Sequence, residues 1–188
     1  YQTHQIPTSA FQVFNSKDEL IVAINKYEIR YPFVWKQSTG GYDGMGVCIV
    51  RNKEDLANVK DTPCIAEKLI PFVNELAVIV SRNPNGEVAS YPVVEMEFHP
   101  EANQVEYVIC PARIENNIAE RAKKIAEKVS NAFEHVGLLA VELFQTEEGE
   151  ILVNEVAPRP HNSGHFSIEG SLTNQFEQHI RAILNLPL

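Results

Sequence analysis

The segment Asn154 to Ser167, NEVAPRPHNSGHFS, sets Glu155, Arg159, His161, Asn162 and His165 between apolar runs, with Pro158 and Pro160 fixing the backbone. No helical or strand period orders these groups. Carboxylate, amide, guanidinium and imidazole in one non-periodic run suit either a polar surface loop or a site, because loops on a rigid scaffold are where binding and catalytic groups concentrate. A metal held by His161 and His165 at i, i+4 would need a helix, and Pro160, Ser163 and Gly164 work against one.

Upstream, Glu142 interrupts the apolar stretch LLAVELF, and Glu155 follows Asn154 at the end of EILVN. The glycine of TEEGE centres a turn on Glu148–Gly149. A two-residue loop there pairs residue 142 with 155, and a three-residue loop pairs 142 with 154. In the first register Glu142 and Glu155 are direct cross-strand neighbours. Like charges so placed destabilise each other, more so in apolar surroundings. One of them is then protonated, or a cation lies between them. Carboxylate oxygens with an Asn carbonyl suit Mg²⁺ bound together with substrate phosphates. The plainer alternative is two solvent-facing glutamates.

STGGYDGMG, Ser38 to Gly46, holds four glycines in seven positions. It matches neither G-x-x-x-x-G-K-[ST] nor G-x-G-x-x-G, and a β-branched stretch follows it rather than a helix. Such a loop can meet an anion only through its own backbone N–H groups. The loop alone fits a plain hairpin connection equally well. Lys36, at the end of the apolar run FVWK, adds a cation beside it, although strand-end lysines also snorkel to solvent.

The elements that must position these groups follow from periodicity. SKDELIVAINKYEI opens with a capping box, Ser16 and Glu19, and predicts a helix over 17–29. FVWK, GVCIV and PCIAEKLI read as strands, with a short helix at NKEDLANV. ELAVIVSR, the turn NPNG and EVASYPVVEME form a hairpin, and QVEYVICPA is a further strand. ENNIAERAKKIAEKVSNAFEHV carries one apolar stripe, Ile118, Ile125, Val129, Phe133 and Val136, with Gly137 as its stop. LLAVELFQ and EILVNEVA make a second hairpin, and NQFEQHIRAIL closes the chain as a helix. Adjacent hairpins with helices between them predict an α+β fold of antiparallel sheets with flanking helices.

At 188 residues the chain suits one domain or two small lobes. A formal charge of −9 with scattered basic residues argues against nucleic acid and anionic membranes as partners. Cys48, Cys64 and Cys110 lack C-x-x-C spacing and lie beside apolar residues, which reads as buried thiols in a reducing, cytoplasmic setting. No apolar run reaches membrane-spanning length. The abrupt start at YQTHQ and the stop at NLPL suggest a piece excised from a longer protein.

Taken together, TGGYDGMG, EKLIPFVNE, NEVAPRPHNSGH and QFEQHIRAILNLPL resemble the ATP-grasp superfamily, and within it the carboxyaminoimidazole ribonucleotide synthetase family of purine biosynthesis. The resemblance covers essentially the whole chain. It implies two α+β lobes, about 1–70 and 71–188, clamping ATP, with the family's N-terminal and C-terminal domains absent. It implies an ATP- and Mg²⁺-dependent ligase that phosphorylates bicarbonate and carboxylates 5-aminoimidazole ribonucleotide, as a homodimer when full length. By the same resemblance Lys36 binds ATP phosphates under a loop that includes Gly41, Gly44 and Gly46. Glu67, Lys68, Leu69 and Ile70 form the adenine hinge, and Glu75 holds the ribose. Glu142, Asn154 and Glu155 ligate or orient Mg²⁺. Tyr42, Asp43, Arg159, His161 and Asn162 face bicarbonate and the ribonucleotide, and His99 is a candidate for a further family histidine. Two other readings stay open: a biotin-carboxylase-like or formate-activating ATP-grasp ligase, and a non-catalytic ATP-sensing module. The joint presence of Lys36, Glu142, Glu155 and Arg159 argues against the second.

Overall fold

A computed structural model describes residues 1–40, 46–98 and 105–188. The chain forms two compact units, one of Ser9–Ile70 and one of Tyr1–Thr8 together with Pro71–Leu188. Residues 1–8, expected with the smaller lobe, belong to the larger unit.

In the smaller unit, β1 (Phe11–Phe14), β2 (Phe33–Gln37), β3 (Val47–Val50) and β4 (Cys64–Lys68) make a four-stranded sheet in the order β1-β4-β2-β3, antiparallel throughout. α1 (Lys17–Asn25) and a 3-10 turn, Glu54–Asn58, accompany it. Alternation along each strand sends Phe14, Phe33, Trp35, Val50, Cys64 and Ala66 to one face. There they bury against Leu20 and Ala23 of α1 and against Leu56 and Val59. β1, an exposed edge strand of only four residues, was not foreseen.

The Ser16 half of the capping box forms, accepting from the Glu19 N–H, while Glu19 reaches one residue further back, to the Asn15 N–H. The helix stops four residues short of the expected end. Tyr27 turns left-handed at φ 61°, and the N–H groups of Tyr27 and Glu28 close onto the carbonyls of Ile24 and Ala23. This is a Schellman stop at a non-glycine residue, which glycine-based reading cannot see.

The larger unit is built on a six-stranded sheet. β5 (Phe72–Arg82), β6 (Val88–Ser90), β7 (Val94–Phe98), β8 (Val105–Ile109), β9 (Gly137–Thr146) and β10 (Ile151–Ala157) run in the order β10-β9-β5-β7-β8, with β6 beside one end of β5. The expected strand EVASYPVVEME is split at Tyr91–Val93, around Pro92, which has no N–H to give a ladder. Leu76, Val78, Val80, Leu139, Val141, Leu143, Ile151 and Val153 pack one face against α2 (Asn116–Ala132). Residues 1–8 belong here because Ile6 enters this same core and Pro7–Thr8 bond the backbone of Val153 at the outer edge of β10.

α2 also stops early, at Ala132, where Glu134 is left-handed. Phe133 and Val136 are therefore exposed rather than part of the stripe. Gly137 is not the helix stop. It opens β9, and a Cβ there would meet the His179 ring at 2.8 Å. The opposite face of the sheet receives α4 (Gln175–Ile183), preceded by a 3-10 turn, Asn162–Gly164, and by the short α3 (Ser167–Gly170), which the sequence did not predict.

Candidate active site

The β9–β10 hairpin turns through three residues, 147–149, with Gly149 at φ 77° and the Thr146 and Glu150 backbones bonded across the base. That is the three-residue loop of the two considered, with glycine at its left-handed position. It sets Val153 opposite Leu143, the register in which Glu142 would face Asn154. One step later the pairing shifts, and Val156 lies opposite Val141. A β-bulge thus puts two residues, Asn154 and Glu155, against the single residue Glu142. Val153 and Val156 both pack toward α2, while Ala157 packs with Ala140 on the other face. Asn154 and Glu155 between them therefore share the face of Glu142. Both predicted registers occur, one on each side of the bulge.

Glu142 is buried and Glu155 is exposed, so neither the fully apolar pair nor the fully solvated pair describes them. A third carboxylate joins this face. Glu75 on β5 sits between Phe144 of β9 and Met96 of β7 as cross-strand neighbours. Burial, with the Glu155 charge added, pushes the Glu75 carboxyl up to about 7. Among the described residues no three His, Cys, Asp or Glu side chains are grouped to hold an ion by themselves. Two carboxylates with an amide do suit Mg²⁺, which keeps its other positions for phosphate oxygens and water.

Beyond β10 the chain turns back over the sheet. His161 brings its Nε2 to 3.5 Å from Glu142 Oε1. Its Nδ1 lies 2.9 Å from the Ser163 hydroxyl and also accepts from the Ser163 N–H. Nδ1 as acceptor leaves Nε2 to carry the proton that faces the carboxylate. Asn162 is exposed and accepts from the Ser163 N–H at 2.9 Å. Arg159 is exposed too, with one guanidinium N–H on the Pro160 carbonyl. Glu75, Glu142, Asn154, Glu155 and His161 are thus gathered on one face of one sheet.

In the smaller unit Lys36 and Glu67 form an ion pair, Nζ to Oε2 2.9 Å, with both side chains largely shielded from water. They lie diagonally on β2 and β4, on the sheet face opposite α1. Val13, Ile65 and Val47 share the Lys36 rung, and Phe11, Val34 and Ile49 share that of Glu67. Lys36 is therefore not a snorkelling lysine. Its ammonium is held by a carboxylate on the sheet face away from α1. Lys68 ends β4 and gives its N–H to Ala10 O, and Leu69 and Ile70 continue as irregular chain rather than strand. The Gln37 N–H to Gly46 O bond, 2.8 Å, closes the base of the glycine loop, which leads into β3 as expected. Gly41, Tyr42, Asp43, Gly44 and His99 lie outside the described residues.

Sequence reasoning missed Gln175. It is fully buried, and its side-chain amide bonds both backbone groups of His161. Nothing in QFEQHIRAIL distinguishes it from a surface glutamine at a helix start.

Comparison with known proteins gives the family. The N5-carboxyaminoimidazole ribonucleotide synthase of Bacillus subtilis is 43% identical over 182 residues, 95% of this chain and 47% of that protein. The phosphoribosylaminoimidazole carboxylase of Saccharomyces cerevisiae is 45% identical over 165 residues, 86% of this chain and 28% of that protein. The crystal structure of N5-carboxyaminoimidazole synthase from Aspergillus clavatus, in complex with ADP and 5-aminoimidazole ribonucleotide, matches with a TM-score of 0.88 at 35% identity, covering 100% of this chain and 49% of that one. The chain thus spans about half, or less, of the length of these relatives. The ATP-grasp domain model matches residues 1–176, so the chain belongs to the ATP-grasp family.

Proposed function

We propose that this chain is the ATP-grasp portion of an enzyme that uses ATP to activate bicarbonate as carboxyphosphate and passes the carboxyl group to the amine of 5-aminoimidazole ribonucleotide. The observation that carries the reading is the bulge that sets Asn154 and Glu155 against Glu142, followed at once by the loop that returns His161 to the same carboxylate. A metal–phosphate site and a set of acceptor-side groups then adjoin on one strand and its continuation. The relatives named for this chemistry lend support.

In this reading Glu142 and Glu155 hold Mg²⁺, with Asn154 orienting it. The bound ion would neutralise charge on the transferring phosphoryl group. Lys36 and the glycine loop hold the ATP phosphates. Glu67 through Ile70 contact adenine, and Glu75 accepts from the ribose hydroxyls. Arg159 offers a planar fork of donors suited to bicarbonate or carboxyphosphate, beside His161 and Asn162. Tyr42 and Asp43 complete that acceptor side. The Lys36–Glu67 pair means that the lysine is pre-aimed, and nucleotide binding shares its charge between carboxylate and phosphate. The same reading carries a homodimeric full-length enzyme working in the cytoplasm.

The test is ADP release by the full-length protein with bicarbonate and ribonucleotide left out in turn. Both omissions should slow it. ADP release indifferent to both would overturn the acceptor assignment. For the metal, Glu142→Gln and Glu155→Gln should weaken nucleotide binding by this chain in Mg²⁺ buffer, and calorimetry giving equal affinity with Mg²⁺ and with chelator would refute the assignment.

A further inference from the structure

α4 begins with a residue whose side chain does not serve the helix. Gln175 accepts the His161 N–H on Oε1 and donates from Nε2 to His161 O, both at 2.9 Å. The helix already has its cap, since Asn174 Oδ1 accepts from the Phe176 and Glu177 N–H groups. The Gln175 N–H goes to Ser167 Oγ at 2.9 Å, and that hydroxyl donates to Gly164 O at 2.6 Å. A Cβ on Gly164 would stand 2.4 Å from Gln175 Oε1, so only glycine leaves room for the amide. The amide therefore reads both edges of one peptide residue 14 positions away, as a neighbouring strand would, inside a fully buried pocket.

We infer that Gln175 is a positioning residue for the acceptor half of the reaction. By fixing the His161 backbone from both sides it sets the direction of the imidazole toward Glu142 and the course of the chain from Arg159 to Asn162. This rests on the reading of those residues given above. A buried amide with only one of two bonds made costs more than its removal, so the pairing locks one loop geometry rather than merely favouring it. Displacement of acceptor groups by a fraction of an ångström is expensive in rate and nearly silent in nucleotide affinity.

The test uses the full-length protein with two variants. Gln175→Met keeps the volume and removes both bonds. Gln175→Glu removes the donor when ionised and restores it when protonated. Both should lower kcat for ribonucleotide-dependent ADP release by about 10- to 100-fold, with KM for ATP within about twofold. For Gln175→Glu the deficit relative to wild type should narrow as pH falls toward the carboxyl's protonation. In histidine-labelled protein Gln175→Met should move the His161 amide and ring resonances and leave those of His4 in place. Loss of kcat and ATP affinity in step with melting temperature would reduce Gln175 to a structural cap and overturn the inference, as would an unchanged kcat. If wild-type ADP release does not depend on the ribonucleotide, the functional reading fails. The resonances then decide for Gln175, and an unmoved His161 overturns it.

Discussion

α2 and α4 cover opposite faces of one sheet by opposite means. α2 presents Ile118, Ala122, Ala126 and Val129 to an aliphatic surface. α4 does the reverse. It buries Gln175, Gln178 and Ala182 and leaves Phe176, Ile180 and Ile183 about half exposed. Its attachments are directional: Gln175 to His161, Gln178 to Ser81, and His179 Nδ1 to the Leu138 N–H. Apolar burial is non-directional and supplies stability. A buried polar network contributes less net energy but tolerates fewer arrangements. The α2 face holds the sheet together, and the α4 face decides where the groups beside it point.

Substitutions can break this contrast, and the largest effect belongs to the apolar face. Leu139→Ala, at a site 2% exposed, should cost about 2–5 kcal/mol in denaturant unfolding. A cost near zero would mean that the α2 core is loosely packed. Next comes Glu75, on the α4 face. Its carboxyl is raised from 4.5 to about 7, so the unfolded chain releases that proton first and stability declines as pH rises from 4.5 to 7. Glu75→Gln should remove the decline and stabilise the protein on the order of 2 kcal/mol at pH 8, and scarcely at all at pH 4.5. Melting curves of both proteins across that range give the answer.

Gln178→Met should cost about 1–2 kcal/mol, because Ser81 Oγ loses its buried donor. Adding Ser81→Ala should recover part of it, so the double-mutant cycle closes with a coupling energy. Strict additivity would show that the bond contributes nothing specific. The smallest effect concerns His179, whose pKa burial and nearby His135 both depress. Its contribution is present above pH 6.5 and lost as pH falls through the lower folded value, when Nδ1 must take a proton in place of the Leu138 N–H. His179→Asn should flatten the acid side of the stability profile, read as a smaller fall in melting temperature between pH 7 and pH 5.

The two faces also differ in how far the sequence discloses them. The α2 face is written in the sequence as continuous aliphatic runs on β5 and β9 and a helical stripe from Ile118 to Val129. Its error lies at the stop, because Glu134 adopts a left-handed conformation that its residue type does not advertise, as Tyr27 does after α1 in the smaller unit. On the other face the chemistry-bearing residues stood out by type, and the choice between Asn154 and Glu155 as partner of Glu142 came down to loop length. Loop length could not resolve it, since a bulge is an extra residue inside the strand and leaves no mark on the turn. Gln175 was invisible because its role depends on a residue 14 positions earlier in sequence, and the raised Glu75 carboxyl depends on neighbours from two other strands.

The bulge behaves like a reading frame. Along a regular strand, adding or losing one residue exchanges the two faces for everything downstream, and at Asn154–Glu155 the bulge absorbs one extra residue of β10 so that Val156 onward keeps its face. A deletion of either one would close the bulge and keep Val156 opposite Val141, leaving a single residue to face Glu142 and the chain toward Arg159 and His161 in phase. In the turn at 147–149 a lost or added residue is a surface event; seven residues later a lost one takes either the amide or the carboxylate away from Glu142. Natural variation in chain length across this hairpin is therefore expected to gather at the turn and to avoid the bulge.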